Sequence, residues 1–277
     1  MRALDRQGIK SNFLSLVHSE IDNGSVHSVF NNSFNLQFEE QLIHIGKLEE
    51  GISAFGFTLP AALVDELISA IEVNNRVMWR EELMTIYTRK KIFKIDLSAL
   101  EEYDCRIPVV QSFSKRLIDK FHELPFSEKT DLLVSEYNCA LIDLFIDSSL
   151  TDENFHKTFI QHFIGRGNGL TPSGDDMLMG ILMAEKAKGG NAIWTSLLQE
   201  QLLRRATTDV SLAYYHALFE GYTSSHFADL LRAVSENDFS QWDSLIEKIS
   251  QYGHTSGWDT LFGLFLYVEN KKGVMCK

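Results

Sequence analysis

Gly165-Arg-Gly-Asn-Gly-Leu-Thr-Pro-Ser-Gly-Asp-Asp-Met-Leu-Met-Gly180 is the stretch from which the rest of the chain is read. Gly165, Gly167 and Gly169 stand on alternate positions and allow backbone angles closed to residues with a Cβ, so the segment begins as a shaped loop. A helix must then start, and two registers fit. Thr171 suits an N-cap with Pro172 at the first helical position, while Ser173 with Asp176 imitates a capping box one register on. Either register puts Asp175 and Asp176 in the first turn, where their charge complements the positive helix end. From Met177 to Ala184 the helix is apolar on nearly every face, which predicts burial. A buried helix whose polar start opens onto a glycine loop is a candidate site.

Part of this stretch recurs. Ser173-Gly-Asp-Asp-Met-Leu-Met-Gly180 and Ser256-Gly-Trp-Asp-Thr-Leu-Phe-Gly263 share Ser-Gly-x-Asp-x-Leu-x-Gly, and Leu264-Phe-Leu-Tyr-Val268 continues the second copy as an apolar run. Two similar helices with similar starts are expected. They either pack as a pseudo-symmetric pair with Asp176 and Asp259 facing each other, or are independently capped helices whose glycines serve close packing. Upstream of the serines the copies do not align.

The whole chain has 277 residues, enough for a large core in one big domain or two ordinary ones. With 26 basic against 38 acidic residues the net charge is −12, which disfavours a nucleic-acid partner. The basic run Arg89-Lys-Lys91 with Lys94 alternates with Ile92, Phe93 and Ile95 and reads as the solvated face of a strand. No apolar run reaches the length of a membrane span, and the start of the chain lacks the apolar core of a signal peptide, so a cytoplasmic protein without membrane contact is expected. Cys105, Cys139 and Cys276 are widely spaced and form no zinc or disulfide pattern.

Along the chain, a short helix is expected through Phe13–Val17. From Val26 to Phe57 short apolar runs are punctuated by Asn31-Asn32-Ser33, Gly46 and Gly51, the pattern of strands and tight turns. Pro60–Ile68 reads as a helix, and Met84–Thr88 and Lys91–Leu97 return to alternation. After Pro108 the period is helical to the end. The expected fold class is therefore α+β: a small β-rich N-terminal layer over residues 1–110, then a larger α-helical bundle over 111–277 that carries the glycine loop and both Ser-Gly-x-Asp motifs.

A helix, not a strand, precedes the glycines, so a dinucleotide site is not indicated, and the Gly-Lys-Ser/Thr ending of a nucleotide P-loop is absent. Backbone amides of the Gly165–Gly169 loop and a helix N-terminus suit an anionic group such as phosphate or carboxylate. Asp175 and Asp176 oppose a bare anion, so they either bridge to it through Mg²⁺ or point away; one of the two is expected simply to complement the helix. Thr207-Thr-Asp-Val-Ser211 is a further polar helix start, with Thr207 as the expected cap and Asp209 and Ser211 one step from Arg204-Arg205, a pair suited to a carboxylate. His254, before the second motif, has the chemistry of an acid/base, although a lone histidine is more often structural.

These three motifs, Gly165–Gly180, Thr207–Ser211 and Gly253–Gly263, together resemble a bacterial family that includes the AllH-type subunit of oxamate carbamoyltransferase, with a looser N-terminal resemblance around Val26–Asn35. That resemblance implies a transferase role in purine catabolism and allantoin degradation. A heteromeric complex with other subunits would convert oxalurate and phosphate to oxamate and carbamoyl phosphate. Proximity to the motifs then nominates Asp176, Asp259, His254 and Ser173 as the catalytic group. It nominates Gly165, Gly167, Gly169, Thr171, Ser173, Gly174, Asp175, Thr208, Ser211 and Ser256 as contacts to a small anionic substrate, with Arg204 as a further donor. Asp175 and Asp176 are the candidate Mg²⁺ ligands, and no organic cofactor is expected. Two other readings stay open: a non-catalytic scaffold subunit, and a stand-alone Mg²⁺-dependent hydrolase or phosphotransferase.

Overall fold

A computed structural model describes residues 8–17, 23–148, 152–189, 193–204, 206–251, 253 and 255–270. The chain divides into two compact units. One holds the described residues up to Arg106 together with Tyr222–Ala228; the other holds Ile107–Gly221 and the described residues from Asp229 onward.

The first unit is built on β1 (Ile9–Ser11), β2 (Asn23–Val29), β3 (Ser33–Phe38), β4 (Gln41–Lys47), β5 (Gly56–Leu59), β6 (Arg76–Arg80), β7 (Leu83–Tyr87), β8 (Ile92–Asp96) and β9 (Glu101–Tyr103), with the short helices α1 (Leu14–Val17) and α2 (Ala61–Ile68). They form one nine-stranded sheet in the order β8-β7-β6-β2-β3-β4-β5-β1-β9. The pairings are antiparallel except β4 with β5 and β1 with β9. Alternation in β3 sends Phe34, Leu36 and Phe38 to one face, where they meet Ile43, Ile45 and Phe57 and the buried side of α2, Val64 and Leu67. Asn31 and Asn32 turn the chain between β2 and β3, as expected of that dipeptide. The basic run behaves as a solvated edge: Lys91 bonds Glu66, and Arg89 lies 3.9 Å from Glu72.

The second unit is helical: α3 (Lys115–His122), α4 (Phe126–Lys129), a 3₁₀ turn at Asp131–Val134, α5 (Glu136–Asp147), α6 (Glu153–Phe163), α7 (Ser173–Lys188), α8 (Ile193–Leu202), α9 (Asp209–Phe219), α10 (Ser225–Glu236, whose first residues group with the sheet), α11 (Trp242–Ser250) and α12 (Ser256–Glu269). The expected α+β class and order of layers are observed. The helical unit starts at Ile107 and cedes Tyr222–Ala228 to the sheet unit, a division no local composition change marks. α7 is buried along nearly its whole length, as its all-round apolar sequence dictates. It packs along α12 more extensively than along any other element.

One buried group outside the motif helices sets a pH dependence. His156 on α6 is fully buried among Phe145, Phe155 and Trp194, and neither ring nitrogen has a hydrogen-bond partner among the described residues. Burial pushes its pKa down to about 4. The folded form thus binds fewer protons than the unfolded chain between pH 6.5 and about 4, and stability is lost as pH falls through that window. His156→Phe keeps the ring contacts and removes the titration. In urea denaturation it is expected to match or exceed wild-type stability at pH 7 and to lead by a further ~2 kcal/mol at pH 5. Buried acids elsewhere in the unit act in the opposite sense, so the difference between the two proteins isolates the histidine. An unchanged gap between pH 7 and pH 5 would refute the assignment.

Candidate functional site

α6 ends at Phe163, and the glycine loop folds back over the start of α7. The Arg166 amide donates to the Phe163 carbonyl at 3.0 Å, and the Gly174 amide to the Arg166 carbonyl at 2.8 Å. Gly167 has φ +124°, and a Cβ there would lie 2.7 Å from the Ser173 nitrogen, so only glycine lets the loop lie this close to the helix start. Asp175 anchors the loop from beneath. It is fully buried, its Oδ1 accepts from the Gly165 amide at 3.1 Å and from the Tyr215 hydroxyl at 3.1 Å, and its Oδ2 accepts from Thr207. Burial raises its pKa, and these donors oppose the shift. With both oxygens engaged by protein donors, Asp175 is placed to shape the loop.

The two Ser-Gly-x-Asp-x-Leu-x-Gly segments pack as a pseudo-symmetric pair. A Cβ on Gly180 would lie 2.0 Å from the Thr260 carbonyl oxygen, and one on Gly263 would lie 1.9 Å from the Met177 carbonyl oxygen, so the two backbones touch at equivalent glycines. The second motif position repeats the device. A Cβ on Gly174 would meet the Phe163 carbonyl at 2.1 Å, and one on Gly257 the Ile249 carbonyl at 2.0 Å. Each motif helix is thereby pressed onto the end of the helix before it, α6 in one copy and α11 in the other. The equivalence therefore extends upstream of the serines, where the sequences do not align.

Hydroxyls approach the acids across the pair. The Ser256 hydroxyl lies beside Asp176 and the Ser173 hydroxyl beside Asp259, each opposing the rise in the acid's pKa that burial causes. Thr171 adds to the first cluster, 3.2 Å from Ser256, and Thr130 donates to Asp259 in the second. α7 and α12 have no side-chain N-cap bond: of the residues expected to cap, Thr171 bonds Ser256 of the partner helix, and the Ser173 hydroxyl lies beside Asp259. Pro172 takes the N-cap position rather than the first helical position. Burial raises the pKa of both acids; for Asp176, at 3% exposure, the rise is large and the charge of Asp259 adds to it. Among the described residues, Oδ2 of each acid is buried without a hydrogen-bond partner.

Above the helix starts lies a cleft of about 430 Å³. It is lined by Arg166, Gly167, Asn168 and Gly169 of the glycine loop, by Ser173 and Thr255 at the starts of the motif helices, and by Asp131, Leu132 and Asn138. The starts of α7 and α12 thus bring two positive helix ends to one cavity. The expected residues divide accordingly. Ser173, Gly167 and Gly169 line the cleft, Gly174, Thr171, Ser256, Asp176 and Asp259 lie in the helix junction, and Gly165 and Asp175 form the base of the loop.

Thr208 and Ser211 belong to a different part of the scaffold. Thr208 caps α9, accepting from the Ser211 amide at 3.0 Å, and its hydroxyl also donates to the Leu170 carbonyl. The Ser211 hydroxyl is buried beside Asp175 and makes no bond of full geometry. Thr207, the expected cap, bonds Asp175 instead, and Thr208, nominated as a substrate contact, takes the cap. Arg204 pairs with Glu200 at 2.9 Å and does not line the cleft. His254 and Arg205 lie outside the described residues.

Four groups escaped the sequence reading. Arg166 lies inside the motif but was passed over between its glycines. Asp131, Asn138 and His162 sit on segments with no motif. The His162 ring bonds Asn138 Oδ1 at 2.9 Å, and Arg166 Nε donates to the His162 carbonyl at 2.8 Å. For a cation, no group of three or more His, Cys, Asp or Glu side chains suited to a metal occurs among the described residues. Mg²⁺ is often held by one or two carboxylates with substrate oxygens completing the shell. The unpartnered Oδ2 atoms of Asp176 and Asp259 are compatible with that mode, whereas Asp175 is already saturated.

The chain is thus an α+β protein of two units in which a glycine loop lies beside a cleft at two paired helix starts. The chain belongs to the AllH family: residues 163–268 match the family model for oxamate carbamoyltransferase subunit AllH, and residues 2–102 match the AllH family N-terminal domain. No solved structure matches it. No helix among the described residues is long and apolar enough to cross a membrane.

Proposed function

We propose that this chain is the subunit of a cytoplasmic oxamate carbamoyltransferase complex that holds the small anionic substrate in the glycine-loop cleft. The observation that carries the reading is the lining of that cleft. It combines a cation, Arg166, and loop backbone with a carboxylate, Asp131. Oxamate, oxalurate and carbamoyl phosphate each have an anionic end and an amide N–H end, and such a lining suits both.

In the reaction implied for the family, a phosphate oxygen bonds to the carbamoyl carbon of oxalurate and the C–N bond to oxamate breaks. The proton leaving phosphate ends on the oxamate nitrogen, and carbamoyl phosphate is the second product. The developing negative charge on the carbonyl oxygen calls for preorganised donors, a role for Ser173 and the loop amides. A group to hold the travelling proton is also needed, and the buried carboxyl of Asp259, beside Ser173, is our candidate for it. A Mg²⁺ ion held by Asp176 would neutralise substrate charge.

Thermal-shift titration tests this with carbamoyl phosphate, oxamate, oxalurate and phosphate, each with and without Mg²⁺, on the chain alone and on the assembled complex. A ligand that binds only the folded state contributes about 2.7 kcal/mol at one hundred times its Kd. A saturable rise in melting temperature for at least one of them, reduced in Ser173→Ala, is expected. Flat titrations in both preparations would remove the reading.

A further inference from the structure

Among the described residues, Arg166 is the one basic residue lining the cleft, and its orientation is built rather than incidental. Its Nε donates to the His162 carbonyl at 2.8 Å, and its terminal nitrogen lies 3.5 Å from His162 Nδ1. The state of that ring follows from its other edge. Asn138 Nδ2 donates to the Leu132 carbonyl at 3.0 Å, which leaves Asn138 Oδ1 as the acceptor facing His162 Nε2 at 2.9 Å. Nε2 therefore carries the hydrogen, and Nδ1 of the neutral ring turns a lone pair toward the guanidinium. Tyr137 and Phe163 hold the ring plane, with centroids at 5.0 and 4.8 Å. A flexible, exposed arginine is thus fixed along one edge by α6 and, through a buried asparagine, by α5. Its other N–H groups are left for the cavity.

We infer that Arg166, positioned by the His162–Asn138 pair, is the phosphate-recognising cation of the cleft; this rests on the reading of the cleft as the substrate site. The shape of the surroundings selects phosphate over a carboxylate. A carboxylate is satisfied in one plane by a single guanidinium fork. Phosphate presents oxygens in tetrahedral directions and can accept at once from the Arg166 side chain, from the Gly167–Gly169 backbone and from Ser173, all of which line the cleft. The converging starts of α7 and α12 add positive potential suited to the higher charge. Asp131, the one acid on the lining among the described residues, is left for the amide end of the second substrate. His162 acts through Arg166 and is a positioning residue.

The test is calorimetric titration of the full chain, and of the assembled complex, with inorganic phosphate and separately with oxamate. Arg166 is exposed, so Arg166→Ala and Arg166→Lys should melt as wild type does. Arg166→Ala is expected to weaken phosphate binding at least ~10-fold, with Arg166→Lys intermediate because it keeps the charge and loses the fork. Oxamate binding should change no more than about threefold. His162→Phe keeps the ring contacts and should weaken phosphate by about fivefold with oxamate unaffected. Phosphate affinity unchanged in Arg166→Ala, while oxamate still binds wild type, would overturn the inference and leave the cleft assignment standing. Equal losses for both ligands would make Arg166 a general anion clamp and equally overturn it. Absence of binding by either ligand to wild type would remove both.

Discussion

Gly263→Val is expected to leave the helical unit without a stable fold, at a cost of about 5 kcal/mol or more, whereas Gly169→Ala should cost only about 1 kcal/mol. The difference lies in what a side chain meets. At Gly263 a Cβ would stand 1.9 Å from the Met177 carbonyl oxygen and 2.7 Å from its carbon, both backbone atoms in the middle of a buried helix. No rotamer change relieves that contact. α7 and α12 must part, and the packing between these two buried helices is lost. The same separation draws the Ser173 hydroxyl away from Asp259 and the Ser256 hydroxyl away from Asp176, both buried. At Gly169, φ is +95° and nothing lies within 4 Å of an added Cβ, so the penalty is local backbone strain alone. Chemical denaturation followed by far-ultraviolet circular dichroism separates the two cases. A Gly263→Val protein with wild-type helical content and midpoint would mean that the helices do not touch at these glycines.

That contact was legible in outline because it is written twice in consecutive residues. The repeated Ser-Gly-x-Asp-x-Leu-x-Gly identified α7 and α12 as related helices, and the all-round apolar run after Asp176 identified burial. What could not be read is the direction of the hydroxyls. Local chemistry makes Thr171 and Ser173 look like caps of their own helix, since a serine or threonine before a helix normally serves its own amides. The close approach of a second helix carrying buried carboxyls changes the preference, because a buried acid short of donors costs more than an unsatisfied helix amide near a cleft. The shift of the α9 cap from Thr207 to Thr208 has the same origin: Asp175, on another helix, claims the first hydroxyl. Asn138, His162 and Asp131 are brought to the cleft by the packing of α5, α6 and the 131–134 turn, and no spacing within those segments announces it. In the sheet, Arg76-Val-Met-Trp-Arg80 was not read as a strand, because its five residues have charged ends and its place is set by β2 and β7 on either side.

Ser173 and Ser256 occupy equivalent positions in the repeat, and their alanine variants should separate the scaffold from the site. Each serine hydroxyl lies beside a buried carboxyl of the partner helix, so each replacement is expected to destabilise the chain by a similar 1–2 kcal/mol. Their surroundings then diverge. Ser173 lines the cleft, while Ser256 is paired with Thr171 at 3.2 Å in the junction. If the cleft is where carbamoyl transfer takes place, Ser173→Ala removes a donor aimed at developing charge. Loss of one such donor elsewhere lowers turnover by about 100- to 1000-fold. Ser256→Ala removes no group from the cavity and should stay within about tenfold of wild type. The measurement is phosphate-dependent breakdown of oxalurate by the assembled complex, made below the melting point of both variants, with melting temperatures recorded beside it. Equal losses of turnover at equal stability would mean that both serines act only by holding α7 against α12, and the catalytic role of Ser173 would be withdrawn. A large loss confined to Ser173→Ala would mark the point at which a symmetric helix pair becomes an asymmetric site, through the longer glycine loop that only the first copy carries.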